Sequence, residues 1–65
     1  MKHKFYFEFT YNDGSEFGFD VIMEGSATEV IAPLNMIARG TLMASIASRV
    51  VVYNEDGFDV CSYIK

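Results

Sequence analysis

The feature that most narrows the fold is a pair of alternating aromatic rows with a turn between them. Phe5, Phe7, Phe9 and Tyr11 occupy every second position of one segment, and Phe17, Phe19, Val21 and Met23 do the same in the next. Strict alternation places each set on one face of an extended strand. Asn12-Asp13-Gly14, between the rows, supplies residues that tolerate the positive φ a tight hairpin needs. The two rows therefore build one apolar face, and the rest of the chain has to cover it.

Ser26-Ala27-Thr28-Glu29 fits a capping box, in which a Ser hydroxyl and a Glu carboxylate each satisfy a free backbone N–H at a helix start. Val30, Ile31, Leu34, Ile37 and Ala38 then recur at helical spacing, and the segment carries on through Thr41 to Ile46. Pro33 removes a donor and Gly40 weakens the middle by about 1 kcal/mol relative to Ala. The expectation is one bent helix over 27–47, starting near Ala27, or two short ones meeting near Gly40.

Arg49 to Tyr53 is β-branched and aromatic, Asn54-Glu55-Asp56-Gly57 is a turn, and Phe58 to Ile64 closes the chain as a strand with Phe58 and Ile64 facing the core. The wording Tyr11-Asn12-Asp13-Gly14 returns as Tyr53-Asn54-Glu55-Asp56-Gly57. Duplication would explain that echo, and so would common turn chemistry. The predicted architecture is α+β, ββαββ, a single domain over 1–65. A helix lying back along the second strand gives a four-stranded antiparallel sheet of order 2-1-3-4 with the helix on one face.

A chain of 65 residues holds one small core. Such a core seldom supplies more than about 3 to 5 kcal/mol, so domains of this size usually add disulfides, a metal or a partner. The single cysteine excludes an internal disulfide, and no metal-ligand spacing occurs. Five basic residues against nine acidic ones leave a net charge of −4, which makes nucleic acid an unlikely partner. No cleavable apolar leader and no membrane-spanning run is visible, so a cytoplasmic location is expected.

Catalytic, metal and cofactor signatures are missing from the sequence, and the chain reads as a non-enzyme. On alternation, His3 and Cys61 lie on opposite sheet faces, which argues against a Cys/His nucleophilic pair. The turns lack the ligand order of a calcium loop, and no phosphate-binding glycine pattern occurs.

What is unusual is apolar surface in excess. Between Ala27 and Ser48 the only charges are Glu29 and Arg39. With Leu34 as the inward direction and about 100° per residue, Val30, Ile31, Ile37, Ala38, Thr41 and Ser45 turn toward the sheet, and Ala32, Met36, Met43, Ile46 and Ala47 turn away. Gly40, Ala44 and Ser48 form a small-residue flank. Leaving Met36, Met43 and Ile46 in water forgoes roughly 1.5 to 3 kcal/mol each. Either a partner covers them, or bends at Pro33 and Gly40 turn Met43 and Ile46 into the core.

Three functional readings follow. The first is a self-associating interaction module, a dimer being favoured, joined through Met36, Gly40, Met43, Ala44, Ile46 and Ala47. The second is a small acidic inhibitor or regulator of the phage or mobile-element format, binding a nucleic-acid-handling protein through Glu8, Glu16, Asp20, Tyr53, Asp59 and Tyr63, with Glu24 alongside. The third is single-stranded nucleic-acid binding by Tyr6, Tyr53 and Tyr63 on the second sheet face, expected also to carry Ile22, Val51 and Cys61.

Overall fold

The computed structural model describes all 65 residues. Its order is β1 (Lys2–Thr10), β2 (Glu16–Glu24), α1 (Ile31–Ala44), β3 (Arg49–Tyr53) and β4 (Asp59–Ile64). The four strands form an antiparallel sheet of order β2-β1-β3-β4, as the alternation and connection lengths imply.

Both hairpins use the same turn. Tyr11 N–H donates to Ser15 O at 2.9 Å and Gly14 N–H to Tyr11 O at 3.0 Å; Asn54 N–H donates to Phe58 O at 2.8 Å and Gly57 N–H to Asn54 O at 3.0 Å. Gly14 and Gly57 take φ of 87° and 86°, the left-handed position that closes a three-residue loop with a bulge. The structural match thus sets Tyr11 against Asn54, one residue away from the match that the shared wording suggests.

The capping box forms: Glu29 Oε1 accepts from Ser26 N–H at 2.9 Å, and Ser26 Oγ accepts from Glu29 N–H at 3.1 Å. It holds an entry turn, 27–30, rather than the first turn of α1. Pro33 has no N–H to offer the Glu29 carbonyl, so the helical ladder starts one residue later, with Leu34 N–H on Val30 O at 2.9 Å. From there α1 is one helix that runs through Gly40 and ends at Ala44, shorter at both ends than the sequence pattern implies. Ser45 closes it, its N–H and hydroxyl both donating to Leu42 O.

Leu34, Ala38 and Leu42, one turn apart, press onto Phe5, Phe7 and Phe9 of β1 and Val50 and Val52 of β3, with Val30 and Ala47 at the two ends. A helix is about 10 Å wide and strands lie about 4.8 Å apart, so one helix covers roughly two strands of four. The two central strands are therefore sealed. Of the edge strands, Phe19, Val21 and Met23 on β2 and Cys61 and Tyr63 on β4 are only half-buried.

Several inward and outward assignments change. Ile31 and Ile37 are exposed, and Thr41 and Ser45 are half-buried, because the buried stripe is narrow and centred on Leu34, Ala38 and Leu42. Ala47, expected on the outer face, is fully buried: it lies past the helix end, where the chain turns down into β3. Phe58 and Ile64 are exposed rather than core.

Candidate interaction surfaces

The helix surface turned away from the sheet carries Met36 and Met43 at 74 and 69% exposure, and Ile46, just past the helix end, is 86% exposed. The alternative, that bends fold Met43 and Ile46 into the core, does not occur. Gly40 and Ala44 are exposed beside Met36 and Met43, so four of the six residues assigned to self-association share the outer face of α1, whereas Ile46 is exposed beyond the helix end and Ala47 is buried. A Cβ at Gly40 would meet nothing within 4 Å, so the backbone there is open to close approach. The one charge on the helix is drawn to its flank, where Arg39 Cζ lies 5.8 Å from the centre of the Tyr63 ring. The Tyr63 hydroxyl donates to Asn35 Oδ1, and Asn35 Nδ2 donates to Ile31 O at 2.9 Å, which ties β4 to the helix beneath that arginine.

The open sheet face carries the acids. Glu8, Glu16, Asp20, Tyr53 and Asp59 all lie on it, but Tyr63 is on the helix face. A one-residue bulge causes the difference. Val52 pairs with Cys61 and Tyr53 with Asp59, so Val60 is an extra residue and the alternation reverses across it. Asp59 therefore faces out while Cys61 and Tyr63 face in. Tyr6 and Tyr53 are direct cross-strand partners on the open face, as alternation places them, but Tyr63 lies on the other face, so the three-tyrosine stacking platform of the third reading does not assemble.

Cys61 and His3 are, contrary to expectation, on the same face. They remain far apart, because Cys61 lies level with Phe7, two strands over and four residues along from His3, which gives roughly 16 Å. His3 Nε2 instead donates to the Gly25 carbonyl at 3.1 Å. Burial pushes the Cys61 thiol above its ordinary pKa of 9.0, away from the reactive thiolate. No group of three or more His, Cys, Asp or Glu side chains is placed to hold a metal ion. No helix is long and apolar enough to cross a membrane.

Set against known protein families, curated proteins and solved structures, the chain finds no match. Its surfaces therefore have to be read from their own chemistry.

The open face is not uniformly acidic. Lys4 Nζ lies 3.7 Å from Asp20 Oδ2, and the Lys4 backbone N–H donates to Glu55 Oε1 at 3.4 Å from the opposite hairpin tip. With Tyr6 and Asn54 these residues line a polar recess of about 290 Å³, in which the Lys4 ammonium is already paired with the Asp20 carboxylate and Glu55 accepts from the Lys4 backbone. Sequence reasoning did not single out a further surface: the trough between α1 and β2. Phe17 is 55% exposed there, above a hollow of about 110 Å³ lined by Phe9, Tyr11, Phe19, Thr41 and Ser45. The signal for it was the mismatch between one helix and two fully apolar strand rows.

Proposed function

We propose that the protein is a non-enzymatic interaction module that associates with a second copy of itself, as a dimer, through the outer face of α1. The observation that carries this reading is the exposure of Met36, Met43 and Ile46 on a stretch, Val30 to Ser48, that holds no acidic residue in a chain of net charge −4. Two such chains repel over most of their surfaces. The helix face is where they can meet without opposing carboxylates.

Gly40 sits at the centre of this face, with Met36 one turn before it and Met43 one turn after. A two-fold axis near Gly40 sets Met36 of one copy against Ala44 of the other, large against small, while the missing side chain lets the backbones approach. A stable interface takes about 800 Å² from each partner, under a fifth of the 4404 Å² that the chain exposes. Methionine suits such a contact because its unbranched side chain fills irregular gaps.

Analytical ultracentrifugation over a concentration series tests the proposal. The wild type is expected to sediment as a dimer, and Met43→Glu or Ala44→Arg as a monomer. A wild type that remains monomeric at high micromolar concentration overturns it.

A further inference from the structure

The hydrogen bonds that close the first hairpin at its two ends fix what its outer edge offers. Tyr11 N–H donates to Ser15 O, and Gly25 N–H donates to Met1 O, with an unbroken register between them. In an antiparallel ladder the bonded pairs alternate. Phe17, Phe19, Val21 and Met23 therefore turn their backbone groups toward β1. Glu16, Gly18, Asp20, Ile22 and Glu24 turn theirs outward, away from the sheet.

This edge is nine residues long, with no proline, no lysine and no bulge, and so lacks most of the devices that stop strand edges from pairing. The opposite edge, β4, is six residues long and broken by the Val60 bulge. What marks β2 instead is charge. Glu16, Asp20 and Glu24 recur every fourth residue on the open face, and of the three only Asp20 has an ion-pair partner, Lys4, with both side chains more than half exposed. On the other face Phe17 and Phe19 border the trough beside α1, and Val21 and Met23 continue the half-buried apolar row.

We propose that the outer edge of β2 docks an extended segment of a different, basic protein, which adds as a fifth strand, antiparallel, with Lys or Arg alternating with apolar residues. Its basic side chains lie opposite Glu16, Asp20 and Glu24. Its apolar side chains lie beside Phe17 and Phe19 and close the trough. A second copy of this chain does not fit here, because two β2 edges would line up six carboxylates on one face, and like charges side by side on a sheet destabilise it. Nucleic acid is repelled by the same row. This site is separate from the helix face and does not depend on self-association.

The probe is a capped peptide of alternating Lys and Val, as long as β2, titrated into the full chain at low salt by NMR. Binding is expected, with the amide protons of Gly18, Asp20 and Ile22 newly protected from exchange. In an antiparallel added strand the residues opposite the acids are the ones bonded to β2, so N-methylation of the Lys amides abolishes binding and N-methylation of the Val amides spares it. Glu16→Lys with Asp20→Lys weakens binding by roughly tenfold or more, from replacing attractive cross-strand pairs by repulsive ones. No binding of the parent peptide overturns the proposal. So does equal binding of both methylated peptides, which would mean adhesion by charge alone.

Discussion

The ring of Tyr6 lies diagonally across Gly18, so that a Cβ on the glycine would run into the Tyr6 hydroxyl and ring. Tyr6 pairs with Asp20 in the ladder and Gly18 with Glu8, which makes this a diagonal contact between neighbouring strands on the open face. Glycine ordinarily weakens a strand because it offers nothing to pack. Here the tyrosine supplies the missing cover.

Gly18→Ala is therefore expected to displace the Tyr6 ring and to gain little or nothing in stability. In a Tyr6→Ala background the same change stabilises, because alanine loses less backbone freedom on folding than glycine. A double-mutant cycle by urea unfolding should give a coupling of about 0.5 to 1 kcal/mol between the two positions. Additivity would mean that the ring does not rest on Gly18.

Self-association links folding to concentration. Whatever binds the folded state alone raises its apparent stability, so the thermal midpoint of the wild type should climb as the protein is concentrated. Met43→Glu is expected to remove that slope and to lower the midpoint at high concentration, while leaving it nearly unchanged in dilute solution, because Met43 is already 69% exposed in the single chain. Calorimetry across a concentration series checks both.

Ala44 and Ala47 separate association from packing. Ala44 is exposed on α1, whereas Ala47 is fully buried beyond the helix end. Ala44→Arg should abolish the concentration dependence with little effect on the monomer. Ala47→Leu forces extra methylenes into a filled core and should cost about 1 to 3 kcal/mol at every concentration. Equal behaviour of the two variants would contradict the burial assigned to Ala47.

Periodicity made most of the fold legible. Phe5, Phe7 and Phe9 fix the buried face of β1, and Leu34 with Ala38 marks that of α1, although the buried stripe runs on to Leu42, which the spacing does not assign inward, and leaves out Ile31 and Ile37, which it does. It failed where the repeat unit itself changes. Val60 adds one residue to β4, so Asp59 and Tyr63 have the same parity in the sequence and opposite faces in the sheet. Nothing in Asp59-Val60-Cys61 announces that bulge, since all three residues suit a regular strand. Ala47 departs from its expected face for a related reason: a rotation of about 100° per residue does not hold past Ser45, where the helix has already ended. The Ser26–Glu29 box forms as the sequence pattern implies, yet it does not mark where α1 begins, because Pro33 delays the ladder.

Cys61 gives a test of the corrected face. It is half-buried on the helix side, and burial raises its thiol pKa above 9.0. Only the thiolate attacks alkylating reagents, so modification near neutral pH should run several-fold slower in the folded protein than in urea. A cysteine lying on the open face, as simple alternation would have it, would react at nearly the same rate in both.

The capping turn makes stability depend on acidity with a definite sign. Bonds from the Ser26 backbone N–H, and then from its hydroxyl, hold the Glu29 carboxyl below its ordinary value of 4.5. A carboxylate whose pKa is lower folded than unfolded stabilises the fold fully above its unfolded pKa; that contribution fades as pH falls through the folded pKa and is gone below both. Asp13 is shifted in the same direction by Ser15, so the wild type alone does not separate the two. Glu29→Gln does, because it keeps an oxygen able to accept from Ser26 but removes the charge. Urea midpoints should show the variant less stable than the wild type near neutral pH and the difference closing in acid. Ser26→Ala, which removes the hydroxyl, should cost about 1 kcal/mol near neutral pH. A Glu29→Gln difference that stays constant down to strongly acidic pH would show that the turn is held by packing of Val30 rather than by the carboxylate.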